Sequence, residues 1–588
     1  MNAARLSVAA FAALVVATVG AFFVTQHLKV TTPVIAGMSH PQPFSPGTCQ
    51  PTTHISFYLL HRSDDVSVYV TDVNGTIVRQ LVSGLFMRSR PPIRRAFVWN
   101  GREDNGSLAP DGTYYFRVGL ARQGRSIDLT GYPIVLKTVA PHPIVTRVDH
   151  ALLPFGAGAV IHYAGNENRG GTIHVYRTDL PGGPREVWTF PTPWNGSQAI
   201  WDGRIHGRPA PAGTYLMGLS VTDRACNTGR FPPIVPPTGG STAGAGVTVR
   251  YLAAQPQLDP AKAGGRATVF VDARHHPYQW SLHRIGSSKP QLAAGISSAP
   301  QLEVPLPAGG PGLYELAIRS GSYQTEAPLV ASSNHPRGGV LVVLPALTWQ
   351  GQNVADDDGD GIPDALEAGG PVSLARPLAA GLPAGFIDEA AFLAYLDRAH
   401  LPYDLTTDLG LIDGVGPGMF GHSALVFAGA ERWVPPSLAT PLKSYLAKGG
   451  RVLSLGIDSL RRAVVVQGTK ASDPSAPTQA DVLGAEPGPV TSHSTDSILV
   501  IRDGLGIFTG TSGAFQGFGA YQPFTGLSQP GQQILSAAGA SSTTPSIIGY
   551  RFGRGIVIDL GLPGFGSSLA GSVDAQELTR RLWTILSH

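Results

Sequence analysis

One short pattern occurs twice in this chain and limits what either stretch can fold into. The first copy reads Phe97-Val98-Trp99-Asn100-Gly101-Arg102, then Gly106, then Ala109-Pro110-Asp111-Gly112-Thr113-Tyr114. The second reads Ala199-Ile200-Trp201-Asp202-Gly203-Arg204, then Gly207, then Ala210-Pro211-Ala212-Gly213-Thr214-Tyr215. Asn or Asp before Gly supplies the positive φ angles of a tight reversal, and Pro followed by Gly suits a type I or II turn. The stretches 114–118 and 215–219 after each pattern alternate apolar and polar residues, as do 66–70 and 172–176 upstream. Such alternation marks half-buried strands, and the spacing of the copies fits one β-sandwich each, in tandem. Composition agrees: 73 Gly, 50 Pro and only 14% charged residues suit turn-rich β structure rather than helical bundles.

The doubled Trp-(Asn/Asp)-Gly-Arg and Pro-x-Gly-Thr-Tyr pattern resembles the Ig-like domain of the flagellar hook-capping protein, FlgD. The resemblance implies a fold and not hook assembly. Residues 240–335 again show short alternating runs, at 247–251, 267–271 and 314–318, separated by Gly, Pro and Ser. They predict a third β-sandwich.

The pattern then changes. Residues 339–345 and 424–428 are continuous apolar runs, as in strands buried on both faces. Helical periodicity covers 388–396, 435–448 and 575–586, and further strands are expected at 451–455, 547–552 and 555–560. Strands alternating with helices predict an α/β domain with a mostly parallel sheet.

Between the first of these strands and the next helix lies Asp356-Asp357-Asp358-Gly359-Asp360-Gly361-Ile362-Pro363-Asp364-Ala365-Leu366-Glu367. It satisfies D-x-D-x-D-G-x5-E in full. Ca²⁺ takes several hard oxygen ligands, and a Gly at the sixth position allows the loop to turn around it. Asp356, Asp358, Asp360, Asp364 and Glu367 would supply carboxylates, and Ile362 its carbonyl. The expected role of Ca²⁺ is structural.

Several further motifs carry a second resemblance. They are Leu347-Thr348-Trp349-Gln350 with Gln352-Asn353, then Ser373 with Arg376-Pro377, then Tyr403-Asp404 with Thr406-Thr407-Asp408. Ala428-Gly429-Ala430-Glu431-Arg432-Trp433 and Tyr445 with Gly449-Gly450-Arg451 extend it. Residues 337–588 thereby resemble the large subunit of N,N-dimethylformamidase. The resemblance implies a glutamine-amidotransferase-like α/β fold and hydrolysis of a small amide by one iron held by two Tyr and one Glu. Glu431 falls at the Glu of that set. The Tyr expected before Asn353 is Gln352, and the position after Pro377 holds Leu378. Two phenolates make a hard Fe³⁺ site, whereas Gln and Leu supply at most one neutral oxygen. The iron site reads as eroded. No Cys lies beyond Cys226, so an amidotransferase nucleophile is missing, and Leu425 replaces the second Gly of G-x-S-x-G after His422-Ser423. His422 reads as a surface or helix-end residue, and Trp349 and Trp433 as core.

Residues 6–25 form an uncharged run long enough to span a bilayer as a helix, preceded by Arg5. Phe22-Phe23-Val24 stands where a signal peptidase would need small residues, so an uncleaved anchor is expected over a cleaved, secreted form. Cys49 and Cys226 either form one disulfide joining the first two β domains or stay as buried thiols. With 43 basic and 40 acidic residues, nothing points to a nucleic-acid partner.

The expected organisation is a signal anchor at 1–30, a linker at 31–50, Ig-like domains at 51–140 and 141–238, a third β-sandwich at 239–335 and the α/β domain at 336–588. The expected function is that of a membrane-tethered extracytoplasmic protein that binds a surface ligand or partner or serves as cell-surface structure. An active amide hydrolase using Glu431 as metal ligand or general base is the alternative. Adhesion through the β-sandwiches is a third reading.

Overall fold

The computed structural model describes residues 3–31, 33–153, 158–167, 169–237, 241–287, 289 and 291–588. Each copy of the repeated pattern forms the same brace. Trp99 and Trp201 are 1% exposed, and their indole N–H groups donate to the carbonyls of Arg102 and Arg204, both at 2.9 Å. Asn100 and Asp202 accept from the backbone N–H two residues on. Gly101 and Gly203 take φ of 76° and 70°, which a Cβ would oppose. Arg102 and Arg204 reach forward to the carbonyls of Gly106 and Gly207. The Tyr114 and Tyr215 hydroxyls bond back to Pro110 and Pro211, at 2.6 and 2.7 Å. Each Tyr ring then packs on its Trp, centroids 4.9 and 5.3 Å apart.

Around these braces stand two-sheet sandwiches. In the first, Ile35–Ala36, Thr53–Leu59 and Arg95–Trp99 face a sheet built on Asp64–Thr71, Ile77–Met87 and Gly112–Leu120. The expected linker at 31–50 is therefore corrected. Ile35 pairs with Leu59, and Phe44 is fully buried against Trp99. Its Pro-rich composition hid three apolar side chains, Val34, Ile35 and Phe44, that complete the core. In the second sandwich, Ile144–Asp149, Ala159–Ala164 and Gln198–Trp201 face Thr172–Arg177, Arg185–Pro191 and Gly213–Thr222. Gly246–Val249, read from sequence with the third unit, instead pairs with Gly213–Thr222 and buries Val247 in the second core. Cys49 and Cys226 form a disulfide between the two units, with Cα atoms 5.7 Å apart. The Thr48 hydroxyl donates to the Ala225 carbonyl beside it.

The third unit opposes a three-stranded sheet to a five-stranded one around Val269, Tyr278, Leu316 and Leu329. Beyond it, Asp404–Thr407, Val340–Leu344, Ala424–Phe427, Arg451–Leu455 and Gly555–Leu560 lie side by side, all parallel. Antiparallel strands Thr544–Phe552, Ile534–Ser541, Ile498–Asp503 and Ala514–Phe515 extend the sheet to nine. The helices Phe386–Arg398, Pro436–Ala447 and Val573–Ser587 lie close to the periodic stretches of the sequence.

At the other end, Ala3–Thr31 is one helix, and its stretch Ser7–Thr25, 19 residues, is long and apolar enough to cross a membrane. None of that stretch is buried among the described residues. Met1, Asn2 and the Arg5 side chain lie outside the described residues.

Candidate functional site

The central strand Val340–Leu344 has the strand that follows it, Asp404–Thr407, on one side and the next, Ala424–Phe427, on the other. Connections that leave in opposite directions open a crevice beyond the strands' carboxyl ends. A cavity of about 250 Å³ occupies that place, with Pro345 after the first strand and Ala430 after the third among its walls. Thr348, Trp349, Gln352, Asn353, Leu378 and Glu389 line it as well.

Three carboxyls are buried at this edge. Asp408 opens the helix Asp408–Asp413 and accepts from the N–H groups of Leu347 and Leu409. Those donors favour its ionised form, although burial pushes it up to about 6. Glu389, 2% exposed, accepts from the Trp349 indole at 3.1 Å, and burial pushes it up to about 8. Glu431 is fully buried, and neither of its oxygens has a hydrogen bond of standard geometry. Burial, and then the neighbouring Asp408, raise it well above the usual range. At neutral pH the group therefore holds protons, and Asp408 is the member best supported as an anion. The Trp433 indole N–H is also buried without a partner.

Glu431 was the only one of the three acids singled out from sequence. Asp408 stood in the sequence as the last residue of the motif that begins at Tyr403, with no role assigned, Glu389 carried no motif, and only the strand order brings the two to Glu431. Gln352 and Leu378 do reach the cavity, so the positions expected to hold phenolates are in place. Their chemistry is not. Leu378 has no donor atom, and the Gln352 amide is bonded to Glu367. No tyrosine is among the described lining residues. The donor set does not fit a mononuclear iron. Trp349 is both core, at 4% exposure, and cavity wall.

His422 is corrected from a surface residue to a buried one. Its Nε2 lies 3.0 Å from Asp404, and its Nδ1 2.8 Å from the Gly418 carbonyl. Ser423 donates to the carbonyls of Gly339 and Leu586. Both precede Ala424–Phe427 and so lie at the end of the sheet away from the cavity.

The acidic loop follows the short helix Ala346–Gly351 and ends in a single 3-10 turn, Leu366–Ala368. Asp356, Asp358 and Asp364 bring carboxylate oxygens within 4.8 Å of one another. With burial the main cause, Asp356 is pushed up to about 7 and Asp364 to about 6, and mutual repulsion adds to both. Asp360 accepts from the Ile362 N–H, and Glu367 is turned to Arg432 at 2.7 Å, outside that group. The loop is held from both sides. Arg376, 3% exposed, pairs with Asp357 at 2.8 Å and donates to the carbonyls of Gln350, Asn353 and Asp364. On the other side, Gly359 accepts from the Gly246 N–H and Gly361 from the Thr178 hydroxyl, at 2.8 and 2.7 Å. Ile362 packs into the core of the second β unit.

Residues 296–482 match the C-terminal region of N,N-dimethylformamidase beta subunit-like proteins. This is a dimethylformamidase-like region. It begins inside the third β unit and contains the cavity, the three carboxyls and the acidic loop. Ahead of it, residues 48–124 match the FlgD Ig-like domain. No curated protein matches the chain. A solved marsupial T cell receptor is 9% identical over 50% of this chain and 98% of its own. Its TM-score of 0.21 is too low to carry an argument.

Proposed function

We propose that this is a membrane-tethered extracytoplasmic protein whose dimethylformamidase-like domain, of glutamine-amidotransferase-like α/β fold, binds a small ligand without iron. The observation that carries the reading is the pair Gln352 and Leu378, which line one cavity where the resemblance calls for two iron-holding tyrosines. The helix Ala3–Thr31 serves as the anchor, and the β units at 51–335 as the support that presents the cavity. Asp356, Asp358, Asp360, Asp364 and Glu367, with the Ile362 carbonyl, hold a structural Ca²⁺, which relieves the repulsion of a half-buried acidic loop. Glu367 exchanges Arg432 for the ion on binding. Elemental analysis of the purified full chain tests both parts. Calcium near one equivalent without iron is expected, and stoichiometric iron overturns the reading.

One observation favours a second reading, an active hydrolase of amide bonds. Glu431 is a fully buried carboxyl held protonated beside a second buried carboxyl, Asp408, and perturbed acids of this kind cluster at functional sites. Turnover of N,N-dimethylformamide or formamide, lost in Glu431→Ala, would establish it and displace the ligand-binding reading.

A further inference from the structure

The outer face of the third β unit carries a groove that its strand registers create. Tyr278–His283 pairs with Ala293–Ser297 on one side and Gly312–Ser320 on the other, and Tyr323–Ser332 follows. Ser281 stands opposite Ala294 and Ala317. Residues two apart share a face of a sheet, so long side chains flank this row of small ones. On one side run Ile296, Gln279, Arg319 and Gln324, and on the other His283 and Glu315. The result is a trough across the strands, a cavity of about 740 Å³ that also takes in Gln291 and the half-buried Trp280. At roughly 4.8 Å between strands, the trough is roughly 10–14 Å long.

Its walls are set by their own contacts. The Arg319 guanidinium donates to Gln324 at 3.0 Å, and His283 lies 2.8 Å from the Ser281 hydroxyl. Among the described lining residues, one guanidinium faces one carboxylate, and three glutamines offer both donors and acceptors. A phosphate-rich ligand needs an excess of cations that these walls lack. An apolar ligand would bury their amides unpaired. An extended peptide gains most by pairing along a strand edge, whereas this trough runs across strands. A neutral chain with hydroxyls on every unit meets each requirement. We propose that this groove binds a neutral oligosaccharide, two or three sugar units lying across the strands.

The test is titration of the full chain in detergent with cellohexaose and chitohexaose. Hexagalacturonate and an uncharged Gly-Ser peptide serve as the anionic and peptide controls. Ala317→Trp fills the trough from the solvent side, and Arg319→Ala removes one wall. At least one neutral hexasaccharide is expected to bind with Kd below about 1 mM, and each variant to weaken it about tenfold or more at unchanged melting temperature. Failure of both neutral sugars to bind overturns the proposal, as does tighter binding of either control. Wild-type affinity in Ala317→Trp does so too, and loss of folding in that variant passes the decision to Arg319→Ala.

Discussion

Glu389 shows what burial does to one carboxyl. Its usual value of 4.5 rises to about 8 because the folded chain removes it from water, and the Trp349 N–H offsets that in part. Between those values the native state keeps a proton that the unfolded chain has released, so this group's contribution to stability falls as pH rises through that window. Glu389→Gln keeps an acceptor for Trp349 and cannot ionise. The variant is expected to match the native chain near pH 4 and to exceed it at pH 8 by on the order of 2–4 kcal/mol, read by urea unfolding at a series of pH values. A second prediction concerns Tyr215. Removing its hydroxyl in Tyr215→Phe leaves the Pro211 carbonyl without that donor, and about 1 kcal/mol is expected to be lost in thermal unfolding of the second β unit. Tyr215 was legible in the sequence because its partner lies four residues away. Glu389 was not, because its partner lies 40 residues away.

Among the elements, the acidic loop is the one whose surroundings changed its reading. Its spacing suggested a self-contained cation loop, and the fold wedges it between the sheet edge and the second β unit. Gly361 has φ of 84°, and a Cβ there would stand 2.8 Å from the Leu216 Cα. Gly361→Ala is therefore expected to lift the loop from that unit and cost about 1–3 kcal/mol. Hydrogen exchange would register it as lost protection at Gly246, whose N–H is bonded to the Gly359 carbonyl. The strand Gly246–Val249 makes the same point from the other side. Its alternation announced a strand, but nothing local said which of two sheets it would join.

Across the whole molecule, two connections stand out among those that tie the β units and the C-terminal domain together, beside the direct packing of the third unit on that domain. One is the docked loop. The other is the Cys49–Cys226 disulfide, which closes a separation of 177 residues. Cross-links over long loops stabilise by about 2–4 kcal/mol, chiefly through the unfolded chain. Cys49→Ser with Cys226→Ser is expected to lower the unfolding midpoint of the first two units by a corresponding amount, leaving the C-terminal transition unchanged in scanning calorimetry. The N-terminal helix is the opposite case, because the Ser7–Thr25 stretch is not buried among the described residues. Deleting residues 1–31 is expected to move the protein from the membrane to the soluble fraction without lowering any melting temperature.

The sequence by itself determined the local devices. The Trp-Asx-Gly-Arg brace, the apolar helix, the strand and helix positions near the parallel sheet and the acidic loop all rest on residues a few positions apart, where φ preferences and short hydrogen bonds decide. It also determined that Gln352 and Leu378 cannot act as phenolates. Only the tertiary structure decided that Phe44 belongs to a core and that Cys49 meets Cys226. It alone set Glu389 and Asp408 beside Glu431, and three small residues in one row of a sheet. Those outcomes depend on strand order and register, which are fixed by burial summed over the whole chain and not by any one segment.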